Sequence, residues 1–178
     1  MLVRVLGRMP RLDGRPISVR FLPALRADGS RLRSGGSRGE EVHAGSFIRK
    51  RVIVLNASLL SEARELARIF VHELFHFAWL RAGNPLRLSY ELLLANEMRA
   101  GARGELGWSA ERRKRRLTPG DARRRTRRWR EYACESFCDT AAWLFAGLRR
   151  HDEFTLAARY RGARREWLRH TLKAEISI

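Results

Sequence analysis

No stretch of this chain approaches the ~20 consecutive apolar residues that a membrane-spanning helix requires, and Met1–Asp13 lacks the apolar core of a signal peptide. A cytoplasmic protein with no membrane partner is the expectation. Cysteine is nearly absent as well. The two that occur, Cys134 and Cys138, stand one helical turn apart, where a disulfide would cross-link almost nothing; both read as small buried residues. Histidine is limited to five positions, His43, His72, His76, His151 and His170, so a metal site built on imidazoles has few ways to form. Acidic side chains number 19 against 37 basic ones, and of the basic ones only 3 are lysine. That arginine excess suits a GC-rich genome as much as it suits phosphate contacts. What remains is ample: 178 residues, 44% of them hydrophobic, suffice for one domain (1–178) with its own core.

Against that background, His72-Glu73-Leu74-Phe75-His76 stands out. On a helix, positions i and i+4 share a face about one turn apart, so both imidazoles can reach one ion. Glu73 lies about 100° round the helix, near enough to take a proton from the attacking water without being a ligand. This is the H-E-x-x-H arrangement of zinc peptidases. Its surroundings, Leu60 to Leu80, contain no Gly or Pro and many helix formers. Ser58 or Ser61 could cap the helix, with Glu62 and Glu65 in its first turn, and Gly83 and Pro85 stop it.

A catalytic zinc needs a third protein ligand, and no further His follows at a suitable spacing. A second apolar helix, Trp129 to Ala146, carries Glu131, Glu135 and Asp139 at i, i+4 and i+8, flanked by Ala133, Phe137, Ala141, Leu144 and Phe145. Carboxylates aimed toward an interior are costly unless a cation compensates them. One zinc ion held by His72 and His76 would do so. Glu135 is therefore assigned as third ligand, and Asp139 as acceptor of the free ring N–H of His72, fixing its tautomer.

His72-Glu73-x-x-His76 followed by Glu135-Ser-Phe-Cys-Asp139 resembles the gluzincin zinc metallopeptidases, whose second motif is Glu-x-x-x-Asp on a following helix. Within that group, Glu135 to Ala142 is similar to the HtpX-like peptidases. Glu131-x-x-Cys134-Glu135-x-Phe137-Cys138 resembles the ImmA/IrrE-like peptidases, an alignment that makes Glu131 the ligand instead of Glu135. The transmembrane helices of HtpX-like enzymes are missing, Phe75 replaces a Gly often found before the second His, and no Leu-Leu-Met-Pro follows the second helix. The resemblance, over residues 46 to 146, implies a zincin-like fold and hydrolysis of a peptide or protein substrate.

Such a fold needs a strand beside the metal helix. Gly45 to Asn56 has the composition for it, with Arg49, Lys50 and Arg51 suiting a hairpin tip or a solvent-facing edge. Ile17 to Leu22 is a partner strand, and Gly35-Gly36-Ser37-Arg38-Gly39 a flexible turn. Residues 1–57 thus read as strand- and loop-rich and residues 58–178 as helical. Further helices are predicted over Leu86–Arg99 (burying Leu88, Leu92, Leu93 and Met98), from Ser109, from Asp121 through the Glu135 stripe, and over Thr155–Lys173, where Leu156, Tyr160, Trp167 and Leu168 pack. The fold class is α+β: helix-dominated, with a small mixed sheet on the H-E-x-x-H helix.

Zinc on His72, His76 and Glu135 would lower the pKa of bound water toward ~7. Glu73 would act as general base and then return the proton to the leaving amine. Tyr132 and His151 are candidates for stabilising the oxyanion. Residues 112–130, with eleven basic side chains and one acidic one around Thr118-Pro119-Gly120-Asp121, could contact nucleic acid or another polyanion weakly. The alternative function is accordingly a basic nucleic-acid-associated protein with a structural or vestigial zinc.

Overall fold

A computed structural model describes residues 2–28, 31–35, 39–172 and 175–178. The predicted Gly-rich turn at 36–38 and the predicted helix end at Lys173 lie outside them. Among the described residues there are seven α-helices and three small sheets, an α+β arrangement in which helices dominate. Among the described residues no helix is long and apolar enough to cross a membrane.

The sheet that matters for the site is mixed. β2 (Ser18–Leu22) runs parallel to β7 (Val52–Asn56), and β6 (Ala44–Phe47) pairs antiparallel with β7, from Ala44 opposite Leu55 to Phe47 opposite Val52. A 3₁₀ turn at Ile48–Lys50, ending in a left-handed Arg51 (φ 53°), joins β6 to β7. The basic triplet is therefore the hairpin tip, and β6 is the sheet edge. β3 (Leu25–Asp28), β4 (Arg31–Ser34) and β5 (Glu40–Glu41) form a second, antiparallel sheet, and Leu32 approaches Gly45 from it. β1 (Arg11–Asp13) and β8 (Glu175–Ser177) pair in parallel, tying the chain ends together. A short α1 (Leu2–Leu6), not foreseen, buries Val5 in the core.

The helix that carries His72 and His76 begins later than the serines suggest. Asn56 accepts the Ser58 N–H at 3.1 Å and caps a 3₁₀ turn (Ala57–Ser61), after which α2 spans Ala63–Arg81. α2 is buried almost continuously from Leu66 to Phe75, because the mixed sheet lies on one side and α6 (Arg127–Phe145) on the other. Phe137 of α6 meets Phe75 and Trp79 of α2, with ring centroids 5.7 and 5.1 Å away. Burying rings of this size contributes about 2–3 kcal/mol each, and their offset contacts somewhat more.

Two helix expectations change. α3 spans Asn84–Arg99, with Pro85 in its first turn, but buries Tyr90 and Leu94 while Leu88 and Leu92 stay exposed. Its inward face also carries Glu91 and Glu97, which are paired with arginines. Asp121 does not open the long helix. The predicted Thr118–Asp121 turn is the start of a separate α5 (Pro119–Arg124), where Asp121 accepts from the Thr118 N–H (2.6 Å) and hydroxyl (2.7 Å). Arg125 then turns left-handed (φ 46°), and Thr126 caps α6. α4 (Trp108–Lys114) and α7 (Ala158–Thr171) complete the helical half; Leu156 and Leu168 are fully buried, and Tyr160 and Trp167 half-buried, against the core.

Candidate metal centre

His72 and His76 project from successive turns of α2, their ring centroids 4.9 Å apart. The α2–α6 packing brings Glu135 alongside, with Oε2 3.3 Å from Nε2 of His72. The other oxygen, Oε1, forms an ion pair with the Arg113 guanidinium of α4, 3.0 Å away. Ligand atoms of His72, His76 and Glu135 all lie within 4.8 Å of one another. Glu131, the competing candidate, stands outside this group: it is half exposed and accepts from Arg127 at 2.6 Å.

Asp139, one turn beyond Glu135, is almost wholly buried and engaged at both oxygens. Oδ1 is 2.7 Å from Nδ1 of His72, and Oδ2 accepts the Ala110 N–H at 3.0 Å. Held from two sides, it keeps the His72 ring turned with Nε2 toward Glu135. Room for this carboxylate comes from Gly107, the residue before α4. A Cβ there would fall 2.2 Å from Cγ of Asp139, although the Gly107 backbone is ordinarily extended. Asp139 thus stands in for the cap side chain that Gly107 lacks.

Glu73 lines the cleft beside His72 and is only 9% exposed. The Ser46 hydroxyl of β6 lies 2.6 Å from its Oε2 and 2.9 Å from its backbone carbonyl oxygen, one proton serving two acceptors. The third partner is sulfur. Sγ of Cys134 sits 3.5 Å from Nδ1 of His76, and His76, Cys134 and Cys138 form a second group with metal-ligating spacing. Cys138 is buried as expected, but Cys134 is half-buried and faces an imidazole rather than apolar neighbours. Both thiols are free.

Charges reinforce this geometry. Burial opposes protonation of His72, yet Asp139 and Glu135 prevail and hold its pKa well above the usual imidazole range. Burial also opposes ionisation of Glu135, but His72, His76 and Arg113 draw it down to about 2. Hydrogen bonding from Cys138, joined by His76, lowers the Cys134 thiol to about 6, while burial pushes Cys138 up. Two imidazoles and an ionised carboxylate, each with an outer partner (Asp139, Cys134 and Arg113 in turn), make a donor set that would suit a single Zn²⁺ with the ion taking the place of the His72 Nε2 proton.

Protein-family models, curated proteins and solved structures were compared with the chain, and none matches it.

Neither residue considered for the oxyanion belongs to the cluster. Tyr132 is fully buried and donates to Glu105, because its face of α6 points into the helical core. His151 pairs with Glu65 at 3.0 Å, in an ion cluster where Arg68 also binds Glu65 and Glu153. Glu65, His151 and Glu153 also lie within 4.8 Å of one another, but Arg68 already engages both carboxylates. No sequence pattern marks Ser46, Gly107, Arg113 or Cys134 as a site residue. Arg113 was hidden in a run of similar arginines, and the other three act only through contacts made by folding.

Proposed function

We propose that this chain is a zinc-dependent peptidase. The observation that carries the reading is the convergence of His72, His76 and Glu135, from two helices far apart in sequence, within 4.8 Å of one another. Zinc held there would acidify a water molecule and polarise the scissile carbonyl. The remaining work falls to the chain's own side chains. Glu73, fixed by Ser46, takes the proton of the attacking water and delivers it to the departing amine. Asp139 holds the His72 ring, and Arg113 orients the Glu135 carboxylate. The free edge of β6, beside Glu73, offers main-chain groups to an extended peptide. A cytoplasmic setting is part of this reading.

Purified protein should carry one zinc per chain, and His72→Ala should lose it. Glu73→Gln should keep the metal while peptide hydrolysis falls by about 10²–10⁴-fold; undiminished hydrolysis would remove Glu73 from the mechanism. The rival reading, a nucleic-acid-associated protein with a structural zinc, draws on the arginines of 112–130. It requires salt-dependent nucleic-acid binding with no peptide cleavage.

A further inference from the structure

The cleft at the candidate metal centre follows the edge of β6 and is unequally charged along its length. One half, about 1010 Å³, is bounded by His43 and Ala44 of the sheet side and by Arg68, Glu111 and Glu153 opposite. The other half, about 540 Å³, is bounded by Gly45, Ser46, Trp79, Arg113, Arg127 and Arg130. His72, Glu73, Ser109 and Arg112 border both, so His72 and Glu73 sit at the junction, while His76 and Glu135 line the second half. A further groove of about 740 Å³ is lined by Arg112, Arg113, Arg116 and Arg128, with Glu40 and Glu131.

The first half is balanced: Glu40, Glu41, Glu111 and Glu153 offset Arg68, Arg112, Arg115 and Arg116. The second half is not. Apart from Glu73 and Glu135, which belong to the site, only Glu131 answers its four arginines, and it is engaged by Arg127. Arg112 touches Glu40 at a loose 3.6 Å between exposed side chains. Arg116, Arg128 and Arg130 make no ion pair among the described residues.

Resting on the peptidase reading, we propose that the substrates are peptides with clustered acidic residues on one side of the scissile bond, the side that lies over Arg130 of the second half and Arg128 of the adjoining groove, with Arg112 at the junction of the two halves. Guanidinium groups on a cleft rim select carboxylates by paired hydrogen bonds and steer their approach. The geometry favours peptide over nucleic acid. Stacking surfaces are short, since Trp129 is buried and Trp108, the one exposed large aromatic among the described residues, lines the other half of the cleft. The free strand edge beside the cleft is suited to an extended main chain.

The test uses the full chain loaded with zinc and carrying Glu73→Gln, so that binding is read without turnover. Fluorescent peptides of one length would carry a glutamate run before the centre, a glutamate run after it, a lysine run, or no charge. An oligothymidylate of similar length is the nucleic-acid probe. One acidic peptide should bind about tenfold tighter than the neutral one, and the other acidic peptide should not. Adding Arg112→Glu and Arg130→Glu should erase that preference, at unchanged zinc content and melting temperature. Equal binding of all peptides, or oligothymidylate binding tighter than either acidic peptide and lost in the same variant, overturns the proposal. Cleavage by the unmodified protein separates the two readings: one-sided acidic binding without cleavage sinks the peptidase, whereas cleavage with no charge preference sinks the acidic substrate.

Discussion

At the scale of single residues, the centre depends on contacts that leave no room for change. Gly107→Ala would drive a methyl group into the Asp139 carboxylate, which must then move from His72 or from the Ala110 N–H. Loss of such an outer partner weakens a metal site by about 10–100-fold, and competition against a chromogenic chelator measures it. Unchanged affinity would show that Asp139 does not orient His72. Ser46→Ala should leave zinc content alone and lower kcat about tenfold or more, since a misplaced base is costly. The part of the centre legible in sequence was the part with fixed spacing: His72, Glu73 and His76 on one helix, and Glu135 with Asp139 on another. Ser46, Gly107 and Arg113 reach those residues across the fold, and no local pattern marks them.

At the scale of elements, the break between α5 and α6 sets where α6 starts and which of its faces meets α2. Arg125 occupies a left-handed conformation there while its guanidinium grips buried Glu91 at 2.7 and 3.0 Å. Arg125→Gly would relieve about 1 kcal/mol of backbone strain. It would also leave Glu91 with the Trp129 indole N–H but no countercharge, a loss of about 3 kcal/mol. The ion pair wins, so the variant should be destabilised by about 2 kcal/mol in urea unfolding; a gain in stability would reverse that ranking. The sequence around this break, Arg123-Arg124-Arg125-Thr126-Arg127, contains no Gly or Pro, so it read as continuous helix. The α3 face was misjudged for a related reason. Hydrophobicity alone favoured Leu88 and Leu92, while tertiary pairing drew Glu91 and Glu97 inward. The sheet and α2 were legible because strand composition and an uninterrupted apolar helix are strong local signals.

At the scale of the whole molecule, the helical half is joined by buried charge as well as apolar packing. Arg164 of α7 is fully buried and donates to Glu97 of α3, to Glu105 before α4, and to Ser136 of α6. Among the described residues no buried side-chain polar atom lacks a partner. Arg164→Met would strand Glu97 and leave Glu105 to Lys114 and Tyr132, and should cost about 3–5 kcal/mol. Burial alone would raise the Glu105 carboxyl, but Arg164 and Lys114 hold it at about 2. Its folded pKa therefore lies below the ~4.3 of an unfolded glutamate. The stability it contributes, about 3 kcal/mol, is present above that value and is lost as pH falls toward 2. Thermal melts should decline steeply across that acid window, and less so in Glu105→Gln; identical profiles would contradict the assignment. The net charge of +18 is plain from composition, but the gathering of its arginines beside the candidate metal centre is a property of the fold alone.

Zinc K-edge absorption of the purified, zinc-loaded chain decides whether His72, His76 and Glu135 hold one ion. The expected first shell has only nitrogen and oxygen at about 2.0–2.2 Å, with two imidazoles. A sulfur shell near ~2.3 Å would place the ion on Cys134 and Cys138 instead and contradict the proposed centre.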